Sequence, residues 1–356
     1  MGRPLTAVRA LRWIALGVGL FGCAGGEPAQ EPSASAGGEV AAGEEPAPPP
    51  VPEPLRLLPS DAFAVVEIDM DRLRASDYHD RVATWLLGQL SPHPERREVG
   101  RDVLSRTRRI VIGVLPPGAD GADPEAVVAA RGDYDPELLA RFMQQAGNPV
   151  AEVHTIAGHR VYVEKDVWAA EIPGPTWVFA SAGWIRALLE KTAPGMEDPS
   201  PLDRDELRAM AHRVGFGEAP VTAVAEVLPE VRAELGDGRW LARETGQALR
   251  EAGLRLELDD GATARVIVQT DDRASAQRLA TRVGELIRWG GANVFVSMLG
   301  LRPVFEATEI RAEGSTAVLT VHLEDVQVRR LLARLEAMAG QVLQEQGVEL
   351  RIDEGP

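Results

Sequence analysis

The chain is poor in the residues that cross-link small secreted folds or hold metals through sulfur. Its 356 residues include one cysteine, which excludes disulfides within the chain and sites built from several thiolates. Aromatic residues make up 5% of the sequence, and no apolar run reaches the roughly 18 residues of a membrane-spanning helix. The fold must therefore depend on a largely aliphatic core, for which the chain is long enough.

Positive charge is also scarce. The sequence holds 38 lysines and arginines against 54 acidic residues, a formal net charge of -16. A polyanion of this kind is repelled by phosphate backbones, so we exclude nucleic acid as a partner. The charge does not indicate a molecular activity.

A glycine-rich stretch near the start, "LGVGLFGCAGG" at residues 16–26, fits two different chemistries. Gly17, Gly19 and Gly22 match a dinucleotide-binding pattern, which requires a buried strand before it and a packed helix after it. Three arginines precede the short apolar run, however, and a segment rich in Pro, Gly and Glu follows it. The arrangement instead predicts a secretory signal peptide over residues 1–22.

The single cysteine lies at the end of this signal. Leu20-Phe21-Gly22-Cys23 resembles a bacterial lipobox, although a smaller residue than Phe21 is usual at its position. The resemblance implies cleavage before Cys23, acylation with fatty acids such as palmitate, and a firm membrane anchor. Ala24 stands where an aspartate retains some lipoproteins at the inner membrane, which favours the outer membrane facing the periplasm. The alternative is an uncleaved helix with one buried cysteine.

Residues 23–54 form the predicted tether. They are rich in Pro, Gly, Ala and Glu, hold no aromatic residue, and cannot bury enough apolar surface to fold. The run "PAPPPVPEP" favours polyproline conformation at the end of the segment. A coil of this length spans roughly 30 Å on average, which holds the folded body away from the membrane.

Residues 55–356 carry strand and helix patterns in the same order twice. Each series opens on a strand, as in "AFAVVEI" and "PVTAVAE", and continues with a helix, two strands, a helix, a hairpin and a final helix. We predict an α+β fold in which largely antiparallel sheets carry helices packed on one side. Its two pseudo-repeated halves span residues 55–196 and 218–356, with a connector at 197–217.

Three stretches carry a family resemblance: "LPSDAFAVVEIDMDRLRAS", "VFASAGWIRALLE" and "LRLELDDGATARVIVQTDDRASAQRLA". Together they resemble a family of uncharacterised bacterial lipoproteins and secreted proteins defined only as a domain of unknown function. The resemblance covers most of residues 55–345. It implies a location in the cell envelope and supplies no catalytic residue.

Candidates for catalysis are few. Ser181 in "FASAG" has the last glycine of a nucleophile elbow but Phe179 in place of the first, so a position at the start of the following helix is the better interpretation. His154 and His159 flank an Ala-Gly turn and share a face with Glu152 if the hairpin loop has two residues, which would permit a metal. Exposed hairpin histidines are the commoner case, and we assign no metal.

Other polar residues have ordinary interpretations. Asp120, Asp123 and Glu125 could approach calcium, but they lack the regular spacing of an EF-hand and are interpreted as a solvated loop. Asp69 and Asp71 follow a strand and are expected to cap a turn or helix. The remaining histidines considered, His212 and His322, have no recognisable partner in the sequence.

An apolar segment interrupts the second half between a helix and the next strand. Its candidate partner-contact residues are Trp289, Val294, Phe295, Val296, Met298 and Leu299. A buried turn or lid is the alternative interpretation. The sequence as a whole favours a lipid-anchored envelope protein that binds or scaffolds an envelope partner without a cofactor. The alternative is an envelope hydrolase whose site is assembled from residues distant in sequence.

Overall fold

The computed structural model describes residues 53–334 except for ten short gaps. The gaps are 91–93, 118–124, 136, 145–151, 165–166, 173–174, 192–198, 238–240, 294–295 and 297–300. The helices are α1 (Glu53–Arg56), α2 (Met70–Ala75), α3 (His79–Leu90), α4 (Pro94–Arg106), α5 (Leu138–Gln144), α6 (Ala182–Lys191), α7 (Asp205–Val214), α8 (Pro229–Leu235), α9 (Arg243–Gln247), α10 (Arg273–Ala292), α11 (Arg302–Glu306) and α12 (325–334). The strands are β1 (Ala64–Asp69), β2 (Thr107–Val114), β3 (Ala126–Gly132), β4 (Glu152–Ile156), β5 (His159–Glu164), β6 (Val167–Ile172), β7 (Thr176–Ala180), β8 (Val221–Glu226), β9 (Leu249–Glu257), β10 (Gly261–Thr270), β11 (Thr308–Glu313) and β12 (Thr316–Glu324).

All twelve strands form one sheet, in the order β11-β12-β10-β9-β8-β1-β2-β3-β7-β6-β5-β4. Every neighbouring pair is antiparallel. The first strands of the two halves, β1 and β8, pair at the junction, with Ala64 opposite Ala225 and Ile68 opposite Val221. Each half thereby continues the sheet of the other.

The two halves repeat one topology. In each half three sequential strands lie side by side, a helix follows, and the last strand returns to lie beside the third, as β7 does beside β3 and β12 beside β10. The first half differs by the additional hairpin β4–β5 at the outer edge of the sheet. The predicted α+β class with two pseudo-repeated halves is confirmed.

Both faces of the central strands are apolar. Val65 of β1 points to one face, called here the Val65 face, and packs with Leu58, with Ile185 of α6 and with Met210 of α7. The next residue, Val66, points to the opposite Val66 face, where Met70 and residues of α3 and α12 cover it. Alternation of the side chains along a strand separates the two apolar layers.

Most helices lie on the Val66 face. There α4 and α5 cover Trp177 of β7, and α10 covers Val268 of β10 through Leu279. The Val65 face carries α1, α6 and α7. The expected layer of helices on one side is thus accompanied by three helices on the other, because the central strands carry apolar side chains on both faces.

Several elements differ from the expectations drawn from sequence. β6 and α4 were not predicted, and the segment around residues 197–217 contains α7, which buries Leu207 and Met210 against the sheet. The helix predicted to follow the opening strand of the second half was expected near residues 240–253. This prediction is wrong over its second part, because β9 begins at Leu249. Pairing with β8 and β10 on both sides overrides the local helical pattern there.

Gly253 of β9 allows α7 to approach the sheet. A Cβ atom at this position would collide with Val214 and lie 2.8 Å from Met210 Sδ. We expect Gly253→Ala to lower the free energy of unfolding by about 1–3 kcal/mol through overpacking, measured by urea denaturation. As control, Gly183→Ala on α6 meets no atom within 4 Å and should leave stability unchanged or slightly raised. Equal stabilities for the wild type and the Gly253 variant would contradict this packing.

Candidate functional site

An open groove of about 730 Å³ lies between the start of α6 and strand β6 on the Val65 face. It joins two parts of the first half, because Trp168 comes from β6 whereas the other wall comes from α6 and the start of β3. The lining residues are Glu125, Trp168, Ser181, Ala182, Gly183, Trp184 and Ala187.

The sequence of α6 explains the shape of this groove. Ile185, Leu188 and Leu189 are fully buried against the sheet. Because these residues fix the rotation of the helix about its axis, Gly183 in the first turn lies at the surface. A Cβ atom added to Gly183 would meet nothing within 4 Å. Trp184, half-buried against the core, forms the rim. Small residues and one large ring therefore leave an accessible space beside the helix.

Ser181 and Glu125 meet at one end of the groove. The Ser181 hydroxyl donates to Glu125 Oε2 at 3.0 Å, although the residues are 56 positions apart. The Ser181 carbonyl accepts from the Ile185 amide at 2.9 Å, which places the serine at the start of α6 as the sequence predicted. No ion pair joins Glu125 to a basic side chain within the described ranges.

Trp168 connects the groove to the edge hairpin. The His154 ring stacks on Trp168 with centroids 5.7 Å apart and an interplanar angle of 10°. His154 Nε2 also lies 3.3 Å from Glu152 Oε2. Ile156 pairs with His159 across the two-residue Ala157-Gly158 turn. The hairpin loop therefore has the two residues on which this arrangement depends, and both histidines share one face of the hairpin with Glu152. In the part of the chain that is described, no group of three such ligands could hold a metal ion.

Ser181 and Glu125 form a hydrogen-bonded pair in which no histidine takes part among the described residues. A serine nucleophile needs a base within hydrogen-bond reach and a further group that orients the base. Ser181 has the Glu125 carboxylate as its hydrogen-bond acceptor, and among the described residues no histidine is hydrogen-bonded to either of them. His154 is instead engaged by Trp168 and Glu152.

A second concavity, of about 800 Å³, is strongly acidic and lies between the end of α2, the end of β9 and the start of α12. Tyr78 donates to Asp325 at 2.9 Å, and Arg329 Nε lies 2.7 Å from the same carboxylate. Burial, followed by the hydrogen bond to Asp325, raises the pKa of Tyr78 to about 12. The hydrogen bonds from Arg329 and Tyr78 lower the pKa of Asp325. These contacts fasten α12 to Tyr78, the residue just before α3, and so serve the packing of the two halves.

A buried carboxylate lies at the junction of the halves. The side chain of Glu67 in β1 is 1% exposed, opposite Thr222 of β8. Arg109 Nε is 3.0 Å from Glu67 Oε1, an ion-pair distance, yet neither carboxylate oxygen has a well-aligned hydrogen bond among the described residues. Burial raises the pKa of Glu67 more than Arg109 lowers it.

Other predicted residues take structural positions. Asp69 caps α2 by accepting from the Arg72 amide at 3.0 Å, which confirms its predicted role. Asp71 pairs with Arg74 on the same helix. His322 contacts Thr263 Oγ1 through Nδ1 at 2.7 Å on neighbouring strands, and His212 is exposed on α7.

The candidate calcium loop and the apolar segment are described only in part. Asp120 and Asp123 lie outside the described residues, whereas their companion Glu125 contacts Ser181. In the apolar segment, Trp289 is 66% exposed at the end of α10, and Val296 is half-buried. The segment's other candidate residues, Val294, Phe295, Met298 and Leu299, also lie outside the described residues.

Sequence reasoning did not identify Trp168 or Trp184 as site residues. The signal available was the presence of three tryptophans, Trp168, Trp177 and Trp184, close to Ser181 in a chain with few aromatic residues. The meeting of Trp168 with Trp184 depends on β6, which was not predicted, so the groove could not be assembled from the sequence.

Comparison with known proteins adds little to this geometry. No family model matches the chain, and no curated protein matches it. Crystal forms I, IV and III of TP0453 each superpose with a TM-score of 0.46 and 12% identity, covering 79–81% of this chain and 95–99% of theirs. A superposition at this level assigns neither a family nor a function. In the described ranges no helix combines the length and apolarity needed to span a membrane.

The raised pKa of Glu67 predicts a pH-dependent stability. The folded protein holds the Glu67 proton more strongly than the unfolded chain, so this residue costs stability increasingly as pH rises from the ordinary glutamate pKa through the folded-state value. We expect the stability of Glu67→Gln relative to the wild type to increase as the pH rises above the ordinary glutamate pKa of 4.5, measured by urea unfolding. Exposed Glu230→Gln on α8 should not change the pH profile. Parallel profiles for the wild type and Glu67→Gln would contradict the assignment.

Proposed function

We propose that the chain is an envelope lipoprotein anchored to the membrane through fatty acids, including palmitate, on Cys23. The support is the cationic start, the short apolar run and the lipobox that ends at the only cysteine. Residues 24–54 tether the folded body at a distance from the bilayer. Ala24 favours the outer membrane, on its periplasmic side. The resemblance to uncharacterised bacterial lipoproteins belongs to the same proposal.

The folded body, in this proposal, binds a ligand or an envelope partner and does not catalyse a reaction. One observation carries this part: Trp168 and Trp184 line the same groove as a Ser181–Glu125 pair that lacks a hydrogen-bonded histidine among the described residues. Binding sites combine aromatic surfaces with a few polar groups that fix orientation. The groove has that composition.

Two further elements belong to the proposal. The apolar segment that includes Trp289 and Val296 is a contact surface for an envelope protein, supported by the 66% exposure of Trp289. The second candidate function is an envelope hydrolase, which the approach of Ser181 to a carboxylate 56 residues away in sequence favours. In that case Glu125 would have to act as the base without an imidazole between them.

The anchor is tested by removing its acceptor. Radiolabelled palmitate should enter the wild-type protein in bacterial cells, whereas Cys23→Ser should lose the label and leave the membrane fraction, because no other cysteine can accept a fatty acid. Ser33→Ala in the tether should behave as the wild type. Retention of the Cys23→Ser protein in membranes after a high-salt wash would identify an uncleaved apolar anchor instead.

A further inference from the structure

We infer that the groove between β6 and α6 binds an organic ammonium cation, such as a trimethylammonium group. The inference rests on the proposed binding role of this groove and names the chemical class of its ligand. Charge, aromatic surface and shape each support it.

The charge of the groove is negative. Among the described lining residues Glu125 is the charged one, and its described interaction is the hydrogen bond from the uncharged Ser181 hydroxyl. A carboxylate that pairs with no basic side chain of the described residues attracts a cation, and the net charge of -16 adds a long-range attraction of the same sign. Ser181 holds the carboxylate at the end of the groove, where a bound cation could reach it.

The position of Glu125 disfavours an anionic ligand. The start of a helix such as α6 usually attracts anions through its free amide groups. Here the Glu125 carboxylate already lies beside that start, through its contact with Ser181. A second negative charge would meet repulsion from Glu125, so phosphate and carboxylate ligands do not suit this site.

The aromatic surface favours an organic cation over a metal ion. Indole is the ring that interacts most strongly with cations over its face, and both Trp168 and Trp184 line the groove while remaining half-buried. The stacked ring of His154 positions Trp168 from the side of the hairpin. A metal ion would require several ligand atoms, and the described residues hold no such group.

The shape suits a bulky head group. Ala182, Gly183 and Ala187 on α6 keep the helical wall shallow, and the space above Gly183 is free to 4 Å. The volume of about 730 Å³ exceeds that of a single trimethylammonium group and leaves room for a substituent. The groove therefore accepts the cation as the end of a larger molecule.

The test is calorimetric titration of the full-length protein with choline, tetramethylammonium and 3,3-dimethylbutan-1-ol, the uncharged isostere of choline. We expect both cations to bind and the isostere to bind at least about five-fold more weakly. Trp168→Leu and Trp184→Leu should each weaken choline binding about five-fold, the effect of one cation–π contact at an accessible site. Glu125→Gln, which removes the negative charge of an exposed carboxylate, should weaken it by a similar factor of about five. Thermal unfolding verifies the folding of each variant, and Glu125 is exposed, so its variant should fold normally.

Two variants serve as matched controls. Trp289→Leu removes an exposed tryptophan from α10 in the second half, and Glu230→Gln removes an exposed carboxylate from α8 in the same half. Neither residue is among the described lining residues of the groove. Both should bind choline as the wild type does. A loss of affinity in these variants equal to that of Glu125→Gln would place the cation elsewhere and overturn the inference.

Further arms separate the possible outcomes. The Cys23→Ser protein is mixed with lipid vesicles and sedimented. Sedimentation with phosphatidylcholine but not with phosphatidylglycerol vesicles would identify a lipid head group as the source of the cation. Binding of free choline without binding to vesicles would identify a small solute as the ligand. Equal binding of choline and its isostere would overturn the inference. Binding of N-acetylglucosamine oligomers but not cations would overturn it and preserve the binding role of the groove. If no probe binds, both the cation inference and the proposed binding role of the groove are overturned.

Discussion

The pairing of β1 with β8 is the interaction on which the rest of the structure depends. Five residue pairs, from Ala64 opposite Ala225 to Ile68 opposite Val221, join the two halves into one sheet. Because β1 and β8 are buried on both faces, unpaired edges at this junction would leave backbone donors and acceptors without partners in an apolar environment. The same continuity gives α7 and α12 their positions, since each packs on strands or helices from across the junction. The unfavourable burial of Glu67 at this junction is the local cost of the arrangement.

The groove depends on this sheet indirectly, through the order of the strands in the first half. β7 lies beside β3 and ends in Ser181, while Glu125 immediately precedes β3, so the antiparallel pairing brings the hydroxyl to the carboxylate. β6 then pairs with β7 and sets Trp168 against α6. The order of the strands thus positions the walls of the groove. The chemistry of the groove comes from side chains on or beside three separate elements, β3, β6 and α6. Binding at such a site needs no mobile segment, because the walls are supported by the buried core of the first half.

Much of the fold could be predicted from local pattern, and the site could be predicted only in fragments. Short apolar runs identified β1 and β8, and the repeated order of elements indicated two similar halves. Local pattern failed at β9, where pairing on both sides replaced an expected helix, and at β6, whose buried Ala169 and Ala170 give a weak strand signal. Ser181 was placed correctly at the start of α6, but Glu125 was interpreted as part of a solvated loop, because a contact across 56 residues leaves no trace in local spacing. The proposed lipobox is different in kind, because it is a linear signal that is proposed from the sequence around Cys23 without reference to a fold.

The central claim, that the folded body binds a cation through the two tryptophans of the groove, is most directly tested by fluorine NMR. The full-length protein would be labelled with 5-fluorotryptophan, its resonances assigned by single Trp→Phe variants, and tetramethylammonium added at constant ionic strength. The account predicts that the Trp168 and Trp184 resonances shift together along one saturating curve, while those of buried Trp177 and exposed Trp289 remain in place. Shifts of Trp289 alone, or equal small shifts of all tryptophans with no saturation, would contradict it.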